Sequence, residues 1–308
     1  MDPLAKQTEL TRLLPSGTFD VVQWVAECGS TNSVLADEVR LASNRTTAET
    51  QPRAVLIADR QTAGRGRLGR VWESPVGTSL TMSVRLPMPG AGHDRAGLVP
   101  LAVGVAVREA VLALGVAADR VELKWPNDLM DPVTGRKIAG ILCESAGLPL
   151  TVVVGVGLNL RRPAEVEGAV AERAQWLGEI GATDIDPVRV AAAVATAIAE
   201  LVRQLDSDCQ PVIEQIRRGC ATVGRDVSVQ QHPETFSGRA VGIDDAGALI
   251  VRRSDTGQQV SVHAADVVHL RPDGPGFEAQ PDISAVPIVA TTVPSDSLPG
   301  IGPTNETV

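Results

Sequence analysis

Residues 58–75 read ADRQTAGRGRLGRVWESP. Gly64, Gly66 and Gly69 alternate with Arg65, Arg67 and Arg70, and Arg60 comes just before them. Two folds compete for this stretch. The glycine spacing matches the dinucleotide fingerprint, which needs a strand before it, a helix opening on it and an acidic residue about 20 positions further on. The strand is there, since AVLIAD (54–59) is an apolar run. The rest fails. VWESPVGTSL holds Pro75 and Gly77, it leads into the alternating stretch TSLTMSVRL (78–86), and position 89 is proline. The stretch therefore reads strand–loop–strand. A glycine-rich loop lined with arginines is then an anion site. Glycine lets backbone N–H groups come close to a ligand. Guanidinium forks give charge-assisted bonds to phosphate or carboxylate, roughly 1.5–3 kcal/mol each. Trp72 either shields such a site or stacks on a base. The competing reading is a solvated Arg-Gly patch that binds nucleic acid, but the loop occurs once and is framed by strands.

The rest of the chain narrows the choice. It has 308 residues, a net charge of −9 and a pI near 5.0, and an acidic balance opposes general nucleic-acid binding. No run of 18 uninterrupted apolar residues occurs, so no membrane span is expected. The opening MDPLAKQTEL has no apolar core of the secretory kind. Cys28, Cys143, Cys209 and Cys220 form no CxxC pair, which predicts free thiols in a reducing cytoplasm. His93, His232, His263 and His269 fall in no catalytic or metal motif. There are 25 arginines but only three lysines, Lys6, Lys124 and Lys137. The last two flank the patterned stretch KWPNDLMDPVTGRKIAGILCES (124–145), where a compact ammonium is kept although arginine is the default cation.

Periodicity divides the chain. Residues 1–19 read as irregular. VVQWVAE (21–27) and VELKW (121–125) read as strands, and SVLADEVRLA as a helix capped by Ser30, Thr31 or Asn32. RAGLVPLAVGVAVREAVLALG (95–115) is apolar nearly all round, as a buried helix is. KIAGILCES and TVVVGVGLNL (151–160) make a hairpin, 163–180 is helical, and Asp186-Pro187 starts a helix to about 206, with another over 211–219. Five short β segments follow in under fifty residues, the pattern of a small barrel. After Arg271 there is no Lys or Arg, and six prolines fall in 273–308, which reads as a disordered acidic tail. The expected divisions are a segment 1–19, a catalytic domain 20–219, a barrel 220–272 and the tail.

Five motifs in order resemble the biotin protein ligase family: Ser30-Thr31-Asn32, Gln61-x-x-Gly64-Arg65-Gly66-Arg67-x-Gly69-Arg70, Lys124-Trp125-Pro126-Asn127-Asp128, Gly135-Arg136-Lys137-Ile138-Ala139-Gly140-Ile141-Leu142 and Gly155-Val156-Gly157-Leu158-Asn159. The resemblance implies an α+β fold of the class II aminoacyl-tRNA synthetase/biotin ligase kind. A mixed sheet carries helices on one face, and an SH3-like barrel follows. It implies activation of biotin by ATP and Mg2+ to biotinyl-5′-AMP, then transfer to a lysine of a carboxylase's biotin carrier domain. By resemblance, Ser30, Thr31, Asn32, Gln61, Arg65, Gly66, Arg67 and Lys137 hold biotin. Arg65, Arg70, Trp72, Asn127, Asn159 and Arg271 border the nucleotide. Arg67, Lys124, Lys137 and Asp128 act in catalysis, with Asp128 either a Mg2+ ligand or the base for the incoming lysine. The family's DNA-binding helix-turn-helix has no counterpart among the first twenty residues, so no operator binding is expected. A lipoate–protein ligase, sharing the chemistry and general fold, is the nearest alternative.

Overall fold

A computed structural model describes residues 1–43, 51–91, 93–146, 150–166, 168–231, 234–263 and 265–270; Arg271, His232 and the 273–308 tail lie outside them. Its centre is a seven-stranded sheet: β1 (Val21–Cys28), β2 (Ala54–Gln61), β3 (Ser79–Pro87), β4 (Glu122–Lys124), β5 (Asp128–Asp131), β6 (Arg136–Ala146) and β7 (Thr151–Asn159). The strand order is β1-β2-β3-β7-β6-β5-β4, with β1 and β2 parallel and every other pair antiparallel. The period-2 pattern of these strands sorts their side chains between two faces.

On one face Val55, Ile57, Val84, Val152 and Val154 pack under four helices: α1 (Pro3–Leu13), α3 (Val99–Ala113), α5 (Pro187–Ser207) and α6 (Cys209–Gly219). The stretch Arg95–Ala113 has the length and hydropathy of a membrane span, but most of it is buried in this core. On the opposite face α2 (Thr31–Ser43) sets Leu35, Ala36 and Val39 against Ala54, Leu56 and Val153. The one-face expectation thus holds for the main core, while α2 takes the other side and leaves the rest of that face open for a site. A short α4 (Gly168–Arg173) precedes α5.

Two local expectations change, and one strand is new. The first residues are not irregular: Asp2 accepts from the Ala5 N–H, Pro3 opens α1, and Leu10 and Leu14 are buried. Helix starts of this kind need only a cap and a proline in the first turn. The region 163–180 is helical only over α4 and a single turn at Leu177–Glu179. Strand β5 had no sequence signature, being four residues with an aspartate at each end.

The C-terminal part is an SH3-like barrel of β8 (Asp226–Gln231), β9 (Glu234–Ile243), β10 (Leu249–Arg253), β11 (Gln259–Val262) and β12 (Asp266–His269), ordered β11-β10-β9-β8-β12. It is fastened to the sheet by Trp125, which is 1% exposed. The Trp125 amide donates to Thr222 Oγ1 (2.9 Å) and its indole N–H to the Gly247 carbonyl (3.0 Å). Arg225 reaches back to Glu122 at 2.6 Å.

Candidate active site

The open face of the sheet has a floor without side chains. Gly155 and Gly157 lie on β7, and Gly140 on β6 pairs with Gly157. Each is filled from above. A Cβ at Gly157 would stand 2.3, 2.5 and 2.7 Å from three atoms of the Trp72 indole. One at Gly140 would stand 2.9 Å from both Cε and Nζ of Lys137, and one at Gly155 would stand 2.9 Å from Asn32 Oδ1.

The arginine loop is a hairpin. Gly64 and Trp72 are bonded through Trp72 N–H (3.0 Å), the Gly66 N–H reaches the Arg70 carbonyl (2.7 Å), and the Arg70 N–H reaches the Arg67 carbonyl (3.1 Å). At its tip Leu68 (φ 54°) and Gly69 (φ 78°) both have positive φ, the signature of a type I′ turn. Leu68 holds a conformation suited to Asn or Gly, and its side chain is exposed.

One end of the site is lined with hydrogen-bonding groups. Ser30, Thr31 and Asn32 open α2 and are all buried. Ser30 caps its helix through the Ser33 N–H (3.4 Å). Gln61 Oε1 accepts from Thr31 N–H (2.8 Å) and Thr31 Oγ1 (3.1 Å), while Thr31 Oγ1 and Ser83 Oγ are 2.8 Å apart. Asn32 Nδ2 donates to Glu144 at 2.5 Å. Arg65 donates to Glu144 (3.2 and 3.3 Å) and to Ser33 (3.1 Å).

The other end is cationic. In the turn between β4 and β5, Lys124 pairs in register with Asp128. Lys137 Nζ is 2.7 Å from Asp128 Oδ1 and 5.9 Å from the Trp72 ring centre. Burial pushes the Lys124 pKa down, although Asp128 opposes the shift. Burial likewise lowers the Arg67 pKa, while Asp266 and Asp128 pull it back. Arg67 donates to Asn127 Oδ1 (3.0 Å), and Asn127 Nδ2 donates to the Ile141 carbonyl (2.8 Å). Arg70 is paired with Asp266 of β12, which ties the hairpin to the barrel.

The structure therefore gathers Arg67, Lys124, Lys137, Asp128, Asn127 and Trp72 at one end and Ser30, Thr31, Asn32, Gln61 and Arg65 at the other, with Gly66 in the hairpin between. Asn127 holds Arg67, and Asn159 Nδ2 donates to the Lys137 carbonyl (3.1 Å). Ser83, Glu144, Asp266 and His269 were not foreseen. Ser83 was legible in the polar alternation of TSLTMSVRL; the other three are partners only in space. His269 accepts at Nδ1 from Arg225 (3.1 Å), because arginine cannot accept, so its proton is on Nε2 beside Thr222 Oγ1 (3.0 Å). Burial, with Lys124 and Arg225 nearby, pushes its pKa down to about 3.

Among the described residues no three His, Cys, Asp or Glu side chains are grouped as a metal cage. Magnesium usually keeps its waters and binds one or two carboxylates together with substrate phosphates, so the single carboxylate of Asp128 fits an ion carried in on a triphosphate.

Residues 30–159 match the model of the Biotin/lipoate A/B protein ligase family, and residues 222–270 that of the Biotin protein ligase C terminal domain. A Mycobacterium tuberculosis biotin--[acetyl-CoA-carboxylase] ligase is 34% identical over 87% of this chain and 97% of its own length. The biotin protein ligase of Aquifex aeolicus, solved with biotin and ATP, superposes with a TM-score of 0.64 at 26% identity, covering 82% of this chain and 98% of that one. That of Leishmania major, solved with biotinyl-5-AMP, gives 0.51 at 25% identity over 80% and 97%.

Proposed function

The chain belongs to the biotin/lipoate A/B protein ligase family, and on that premise we propose that the hydrogen-bonding end of its site holds the biotin ring, the cationic end holds the ATP phosphates, and the acceptor is a lysine of a carboxylase's biotin carrier domain. The enzyme is a biotin–protein ligase. Biotin and ATP give biotinyl-5′-AMP and pyrophosphate, and the biotinyl group then passes to a protein lysine. The observation behind the division of the site is the glycine floor at Gly155, Gly157 and Gly140, on which Asn32 of one end and Trp72 and Lys137 of the other rest directly against the sheet.

The first step brings a carboxylate against a polyphosphate, so two anions must meet. Arg65, Arg67, Lys124 and Lys137 supply fixed positive charge where that repulsion develops. Thr31, Asn32, Gln61 and Ser83 match the donors and acceptor of a ureido ring. The dithiolane ring of lipoate has neither, and gains no hydrogen bond from these groups. Trp72 and the hairpin cover the mixed anhydride and exclude the water that would hydrolyse it. Lys137 donates to the acyl oxygen as negative charge grows there. Asp128, beside it, would hold a magnesium ion through one oxygen, and that ion would supply neutralisation of phosphate charge. In the second step Asp128 takes the proton of the incoming amine.

The test is biotin-dependent ATP–pyrophosphate exchange on the purified chain, with lipoate as the control acid. Exchange with biotin alone is expected. Exchange with lipoate instead would keep the fold and overturn the substrate.

A further inference from the structure

One carboxylate on the open face is used by neither step. Glu144 sits on β6 opposite Val153, on the same side of the sheet as Gly140, and its side chain is 23% exposed. Three cationic or amide groups from two other elements converge on it. Asn32 of α2 donates at 2.5 Å, Arg65 of the hairpin spans both oxygens at 3.2 and 3.3 Å, and Arg40 of α2 stands at 3.5 Å. We propose that Glu144 is the positioning residue of the biotin end of the site, fixing the Asn32 amide and holding Arg65 across the pocket before biotin arrives. The inference rests on biotin being the substrate.

The chemistry of the groups sets the direction of the effect. A carboxylate only accepts, so Asn32 can present only its Nδ2 to Glu144. Its Oδ1 must then face the sheet, where it lies over Gly155 and accepts from Ser83 Oγ at 3.4 Å. Ser83 takes one of the two lone pairs of Oδ1, and the other is left for a ureido N–H. Arg65 gives Glu144 one hydrogen from each Nη and gives Ser33 the other from Nη1. The Nε–H and one Nη2–H are left for a ligand. Glu144 therefore orients Arg65 without consuming it, and the long side chain need not be ordered on binding. The same contacts tie the hairpin to α2 and to the sheet, so they also hold the cover shut over the intermediate.

Glu144→Gln is the informative change, because glutamine has the same size, carries no charge and can donate as well as accept. It should raise the KM for biotin by about tenfold, the loss expected for a charge-assisted bond, with kcat and the KM for ATP each changing less than about threefold. Release of preformed biotinyl-AMP should quicken by a similar factor. In an Asn32→Ala, Arg65→Ala background the same substitution should change the biotin KM by less than about threefold, since the groups through which Glu144 acts are gone. An unchanged biotin KM would overturn the proposal. So would equal losses in both KM values and kcat that track a lower Tm, which a merely structural carboxylate would give. Exchange by the unsubstituted chain checks the substrate separately: if that fails, the functional reading fails, whatever Glu144 does.

Discussion

Gly157→Ala puts the glycine floor to the test. The added methyl would lie 2.3 Å from Trp72 Cε2 and within 2.7 Å of two further indole atoms, whereas ordinary contact begins near 3.4 Å. The ring must move by roughly 1 Å or more, and Gly157 cannot yield because β7 is paired on both sides, to β3 and to β6. Trp72 belongs to the hairpin, so the hairpin gives way. Overpacking of this kind costs typically about 1–3 kcal/mol, or about 5- to 150-fold if it falls on the closed, reactive arrangement. The assay is biotin-dependent pyrophosphate exchange, with the melting temperature measured alongside. A large loss of exchange with a small shift in Tm is expected, because the methyl disturbs the cover and not the main core on the other face. In a Trp72→Ala background the same change should cost little further activity. If Gly157→Ala kept near-normal exchange, or cost as much without Trp72 as with it, the packing of Trp72 on this strand would not be part of the working site.

Other expectations follow from the same arrangement. Lys137→Ala should lower the exchange rate by about 10²- to 10³-fold, more than it weakens biotin binding, as the loss of one transition-state donor does; near-normal turnover would remove Lys137 from its assigned role. Arg67→Ala should weaken biotin binding and let biotinyl-AMP escape, seen as free intermediate in the absence of carrier. His269 stays neutral in the folded protein down to about pH 3, against an ordinary 6.5, so the unfolded chain takes its proton first as pH falls. The stability from the neutral ring is whole above about pH 6.5 and is lost as the pH drops toward 3. His269→Gln should flatten Tm against pH in that window, and an unaltered slope would refute the assignment. A chain ending at Arg271 should retain ligation; a large loss would give the tail a part in it.

The sequence carried the local patterns well. Alternation in 78–86 and 151–160 named β3 and β7, and the proline and glycine after the arginine stretch excluded a helix there. Motif order named the lysines and arginines of the site. What it did not carry was the joining of distant residues. Asn32 and Glu144 are 112 positions apart and Arg70 and Asp266 are 196 apart, and nothing in either member's neighbourhood announces the other. His269 had no motif because its role is to fill a place between Thr222, Arg225 and Lys124. The hairpin was legible as a loop, but not as a closed one, since Leu68 is a poor residue for the turn it makes.

The scarcity of lysine has a consequence for an enzyme that makes an acylating agent. A mixed anhydride reacts with any neutral amine that reaches it, and a guanidinium, always protonated, is not such a target. The chain has three side-chain amines in all: Lys6 is held by Asp59 at 2.6 Å and the Trp24 ring, Lys137 by Asp128 at 2.7 Å, and Lys124, whose pKa burial lowers, lies within the site and not on the outer surface. With arginine carrying the positive charge everywhere else, its surface gives escaping product almost nothing to label. Replacing exposed Arg60 or Arg40 by lysine would supply that target, and the mass of the enzyme after turnover without carrier would record it.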